Sequence, residues 1–196
     1  MPTANTFDGL PILYFARPQE WADWLAAYHN TAVGVWLQLV KKAAARSSIS
    51  YDEALEEALC YGWIDSQKRS YDDESWLQRF TPRKARSIWS KVNREKAEKL
   101  IANGRMQPAG LQEVERAKAD GRWAAAYDSP STSDIPPDFQ AELDAHPEAA
   151  AFYKTLNSRN RYAILHRIQT AKKAENRARR IQQFVEMLEK QEKLYP

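Results

Sequence analysis

Ser50-Tyr51-Asp52-Glu53-Ala54-Leu55-Glu56-Glu57-Ala58-Leu59-Cys60-Tyr61-Gly62-Trp63-Ile64-Asp65-Ser66-Gln67-Lys68 contains a helix, its stop signal and the beginning of a strand. Ser50 with Glu53 three residues on is a capping box, in which each side chain satisfies a backbone N–H that the first helical turn leaves open. Ala54, Leu55, Ala58 and Leu59 then share one helical face, and Gly62 marks the end. Beyond it, Trp63–Lys68 and Ser75–Phe80 have strand composition, and Trp76 and Gln78 alternate with Leu77 and Arg79. Tyr71-Asp72-Asp73-Glu74 between them reads as a hairpin loop. A helix leading into a hairpin makes the body α+β.

The same signals extend outward. Pro18 suits a first helical turn, with Trp21, Trp24, Leu25 and Tyr28 on one face. Ser90 opens a helix through Ala97, Leu100 and Ile101, and Pro108 another with Leu111, Val114 and Ala117 inward. Short helices follow near 139–145, 148–156 and 159–170, and a last one turns Ile181, Phe184, Val185 and Leu188 inward. Strand composition recurs near 10–15 and 34–40. The expectation is a predominantly helical α+β fold with a small, partly antiparallel sheet of three or four strands. Its parts would be a body over 1–127, a Ser/Pro-rich linker over 128–137, and a C-terminal helical extension over 138–196 packed on the body.

The 196 residues allow a core that needs neither disulfides nor metals. Seven Trp, nine Tyr and six Phe exclude a disordered chain. The lone Cys60 cannot form an internal disulfide, and His29, His146 and His166 have no triad or metal-ligand spacing. No stretch reaches the roughly 20 apolar residues of a membrane span, and the first residues do not read as a secretory signal, so the cytoplasm is the expected compartment. No cofactor motif is present, and no residue is singled out as catalytic. The net charge is +3, but residues 105–150 carry 4 basic and 9 acidic side chains, and 151–196 carry 11 and 4.

The densest cluster of special residues is 60–93. Arg79, Arg83, Arg86 and the amide-rich helix start at Ser90 would suit a small anionic ligand, phosphate or carboxylate, walled by Trp63 and Trp89, with Asn93 supplying an amide. If the two strands pair, Asp65 and Arg79 would share a sheet face. The same residues also read as structure: Trp63 and Trp89 in a core, Asp65 as the buried partner of Arg83, Ser90 as an N-cap. Two other functions compete. Residues 79–99 hold eight basic and two acidic side chains, and Lys172, Lys173, Arg177, Arg179 and Arg180 cluster on the last helix, as a nucleic-acid surface would require. An enzyme would use Asp65 as acid or base beside Arg79 or Arg83.

Several of these runs resemble a known family, the YdeI/OmpD-associated or bacteriocin-protection proteins. The similarity lies in Glu20-Trp21, Val35-Trp36-Leu37, Ala58-Leu59-Cys60-Tyr61-Gly62-Trp63-Ile64-Asp65, the run 80–93, Asp120-Gly121-Arg122-Trp123, and Arg177-Ala178 with Arg180-Ile181. Asn176 departs from it, standing where the family more usually has Thr. The resemblance implies a role in resistance to bacteriocins or cationic peptides and, in some members, an envelope-associated partner. It implies no reaction and fixes no catalytic residue.

Overall fold

The computed structural model describes residues 5–42, 44, 46–128, 134–171 and 173–196. Residues 129–133 of the expected linker, and Lys172, lie outside these. Backbone contacts divide the chain into two compact units, one over 1–89 and 93–125, the other over 90–92 and 126–196.

The first unit begins β1 (Thr6–Phe7), β2 (Leu10–Leu13), α1 (Pro18–Tyr28), β3 (Val35–Val40) and α2 (Tyr51–Cys60). It continues with the hairpin β4 (Trp63–Ser70) and β5 (Ser75–Pro82), then α3 (Lys91–Ala102) and α4 (Pro108–Ala119). The strands form one sheet in the order β1-β2-β3-β5-β4, with β2 and β3 parallel across the α1 crossover and the other pairs antiparallel. The described residues thus hold five strands, not three or four. The additional strand is β1, folded onto β2 by Asp8-Gly9, whose φ values of 51° and 72° are those of a tight hairpin turn.

The capping box forms as read. Ser50 N donates to Glu53 Oε2 at 2.8 Å and Glu53 N donates to Ser50 Oγ at 3.2 Å; the bonds from Ser50 N and Ser50 Oγ to the Glu53 carboxylate hold that carboxyl below its usual range. The expected hairpin loop also forms: Asp72 Oδ1 accepts from Glu74 N at 2.9 Å and Ser75 Oγ at 2.7 Å. One sheet face, with Val35, Leu37, Leu39, Trp63 and Phe80, is buried along with Leu25, Ala58 and Leu59 of α1 and α2. Trp21 of α1 is its hub: its ring meets Trp63 and Phe80 at 6.3 and 5.8 Å, and its Nε1 donates to Ala54 O at 3.1 Å. That indole therefore joins α1, α2 and the sheet while keeping its one donor satisfied. Leu111, expected to face inward, is exposed, as is Tyr28 at the end of the α1 face that begins with Trp21, so these two helices bury narrower stripes than their periodicity suggests.

The second unit holds α5 (Pro137–Ala145), α6 (Pro147–Thr155), α7 (Ser158–Gln169) and α8 (Ala174–Glu189). Their core includes Phe139, Leu143, Tyr153, Ile164 and Ile168, closed by Ile181, Phe184, Val185 and Leu188 of α8, the face read from the sequence. Asp138 and Arg177 tie α5 to α8 through two hydrogen bonds of 2.6 and 2.8 Å. No helix of the described residues is long and apolar enough to cross a membrane.

Candidate functional site

Trp63 is buried at the start of β4, with Nε1 donating to the His29 carbonyl at 3.2 Å. Asp65 lies opposite Phe80 and accepts from Tyr51 Oη at 2.8 Å. Directly paired residues share a sheet face and their neighbours take the other, so Asp65 and Arg79 project from opposite faces. The expectation that they share one is corrected by the register.

Arg83 N donates to Gly62 O at 3.0 Å, closing the ladder just past Pro82. Its guanidinium lies 3.5 Å from the Trp89 ring centroid and Nη1 donates to Ile88 O at 3.3 Å; only 6% of the residue is exposed. Trp89 meets Trp123 edge-on at 4.8 Å. Arg122, also buried, donates from Nη1 to Ser87 O at 2.6 Å and from Nε to both Asp120 oxygens. Two buried guanidiniums therefore hold the turn 83–89 by its carbonyls. The partner of Asp65 is Tyr51, and Arg83 serves this turn. Asn93 is buried in the first turn of α3; Ser90, grouped with the second unit, bridges to Tyr127.

Arg79 has a different environment. It stands directly opposite Trp36 across β3 and β5, on the face away from Phe80. Trp36 is fully buried, with Phe7 edge-on at 5.2 Å. The Trp36 Nε1 and Arg79 Nε donors are both buried, and neither has an acceptor among the described residues. Buried donors of this kind are costly, about 1–3 kcal/mol each, until something accepts from them.

Cys60 is 1% exposed, and burial followed by the Glu57 charge pushes its thiol up to about 12, the opposite of what a nucleophile needs. No group of His, Cys, Asp and Glu among the described residues is arranged to hold a metal.

In the second unit, Arg177 is engaged by Asp138 and by the Ile168 carbonyl, and Arg180 donates to Arg167 O. Lys173 is exposed. Asn176 Oδ1 accepts from Arg179 at 2.8 Å, so the departure from the family pattern keeps a hydrogen-bonding role. A groove of about 520 Å³ runs along Asp138, Glu142, Arg177 and Ile181, where opposite charges neutralise each other. A smaller cavity, about 260 Å³, is lined by Arg159, Tyr162, Ala163, His166, Arg167 and Tyr195. The sequence reading passed over it. Its one sequence signal is the spacing 159, 162, 163, 166, 167 on the polar face of α7; Tyr195 arrives from 28 residues beyond Arg167 and joins only through tertiary structure.

Residues 13–113 match the family described as Domain of unknown function (DUF8412), and residues 132–191 match the family Bacteriocin-protection, YdeI or OmpD-Associated. The motif runs between 20 and 93 thus fall within the first match, and the signature around Arg177 and Arg180 within the second. Among curated proteins and solved structures nothing matches the chain. With a mixed-sheet body matched over more than half of the chain, the chain belongs to the Domain of unknown function (DUF8412) family, and its C-terminal residues 132–191 are similar to the Bacteriocin-protection, YdeI or OmpD-Associated family.

Proposed function

We propose that this is a cytoplasmic protein of bacteriocin protection or stress resistance that works by binding a small anionic ligand, phosphate or carboxylate, at Arg79. The observation that carries the reading is the Arg79–Trp36 pair, two residues in register whose buried Nε–H and Nε1–H both lack an acceptor among the described residues. An anion accepts from both at once. The planar guanidinium offers further donors to a second oxygen, which a lysine could not match. The family match over 132–191 supports the protective setting.

The test is thermal unfolding at constant ionic strength with inorganic phosphate or acetate, on the wild type and Arg79→Gln. A ligand at a hundred times its Kd stabilises by about 2.7 kcal/mol, worth roughly 5–10 °C for a chain of this length. The wild type should show that rise with at least one anion, and Arg79→Gln should show no rise above its own melting temperature in buffer. A flat wild-type response to both anions, or an equal rise in the variant, refutes the reading.

A further inference from the structure

We infer that the C-terminal unit holds a second, separate binding site, the cavity between α7 and Tyr195, for a compact aromatic molecule carrying a phosphate or carboxylate group.

The site is built by a division of labour on one helix. Asn160, Ile164 and Ile168 turn one face of α7 into the core, and all three are fully buried. The opposite face presents Arg159, Tyr162, His166 and Arg167 to the cavity. Asn160 also fixes the far wall. Its Nδ2 donates to the Tyr195 carbonyl at 3.1 Å and its Oδ1 accepts from Tyr195 N at 2.9 Å, so the backbone of Tyr195 is held at two points by a fully buried amide. A chain segment beyond the last helix is otherwise among the loosest parts of a fold, and here it is pinned beside two arginines. The Tyr195 ring in turn lies under the Arg159 guanidinium at 4.3 Å.

The chemistry of the lining selects the ligand. No carboxylate lines the cavity, and neither Arg159 nor Arg167 makes an ion pair among the described residues. Their charges remain available to an anion. Between them the walls are rings: Tyr162 meets His166 at 5.5 Å, and Tyr127 packs edge-on against His166 at 4.7 Å. Burial, and then the Arg167 charge, lower the His166 pKa, so at neutral pH its imidazole is uncharged and has one donor and one acceptor to offer. Burial pushes the Tyr162 phenol up to about 12, leaving it a protonated donor. Flat faces suit a flat ligand group, and two guanidiniums suit an oxyanion. The volume sets the size. About 260 Å³ is slightly below the range of roughly 300–1,000 Å³ typical of small-molecule sites, so one ring and one anionic group fit, whereas a dinucleotide does not. This inference is independent of the Arg79 reading, which concerns the other unit.

The experiment follows the His166 ring protons by NMR, readable because the chain has only three histidines. The probes are phenyl phosphate and benzoate, with inorganic phosphate and phenol as halves of the ligand and an eight-residue oligothymidylate as the polymer. At least one aromatic anion should shift the His166 signals and bind at least tenfold more tightly than either half. Arg159→Gln with Arg167→Gln, both at exposed positions, should weaken it tenfold or more without changing the melting temperature. Tyr195→Ala should weaken the aromatic anion but not inorganic phosphate. Arg79→Gln should bind like the wild type, which separates failure here from failure of the other site. Tighter binding of the oligonucleotide than of either aromatic anion would replace the inference with a nucleic-acid interface. Unmoved His166 signals, or equal affinity for inorganic phosphate and phenyl phosphate, would overturn it.

Discussion

Gly110→Ala adds a single methyl group where the backbone of α4 lies against the last turn of α2. A Cβ at Gly110 would lie 2.3 Å from the Cys60 carbonyl oxygen, 2.7 Å from the Leu59 oxygen and 2.4 Å from Met106 Sδ. The Met106 side chain can swing aside, but the two carbonyls are the last turn of α2 and cannot. Ordinary van der Waals contact starts near 3.4 Å, so α4 must retreat by about 1 Å. Overpacking of this kind costs about 1–3 kcal/mol. The retreat also stretches the Gln107 N–Cys60 O hydrogen bond of 3.1 Å, worth about 1 kcal/mol. Against these stands a gain of about 1 kcal/mol from the better helix propensity of alanine. The net expectation is a loss of about 1–3 kcal/mol, or roughly 2–12 °C in Tm for a chain of this length. Thermal unfolding followed by circular dichroism measures it, with Gly110→Ser as a bulkier companion that should lose more. An alanine variant that melts at or above the wild-type temperature would show that α2 and α4 do not touch backbone to backbone, and would refute the packing described.

Two further outcomes follow from named contacts. Arg83→Ala should lower the urea midpoint by the equivalent of about 1–3 kcal/mol, because the Ile88 carbonyl loses its donor and the Trp89 ring its stacked guanidinium; Arg83→Lys should recover only part of it, and an unchanged midpoint for Arg83→Ala would place the side chain outside the core. Arg177 holds the Asp138 carboxyl below its ordinary range, so the ionised form is the stabilising one. That contribution is complete above the unfolded carboxylate pKa of about 4 and is lost as pH falls through the lower folded value, and since the pair is partly exposed it amounts to under about 1 kcal/mol. The stability difference between the wild type and Asp138→Asn should therefore shrink between pH 5 and pH 2, and a difference that does not vary with pH would count against the ion pair.

What the sequence determined by itself is local. Pro18, Pro108 and the Ser50–Glu53 box stand at helix starts, and the last helix buries the face its spacing marks, because caps and periodicity act within one or two turns. Asp8-Gly9 is likewise a local hairpin signal, and it is the turn that adds the fifth strand. The tertiary structure alone decided the rest. Side chains alternate faces along a strand, so the pairing of Asp65 with Phe80 rather than Arg79 puts Asp65 on the Phe80 face, while Arg79 takes the other face opposite Trp36. No local signal sets that register; it comes from burying Trp63 and Phe80 together against Trp21. Tyr51 takes the carboxylate that Arg83 was read as neutralising, and Arg83 reaches Trp89 instead. The cavity on α7 depends on Asn160 holding Tyr195, a contact across 35 residues. Such partners are selected by which faces the whole chain buries together, and a sequence window of one or two turns holds no record of that choice.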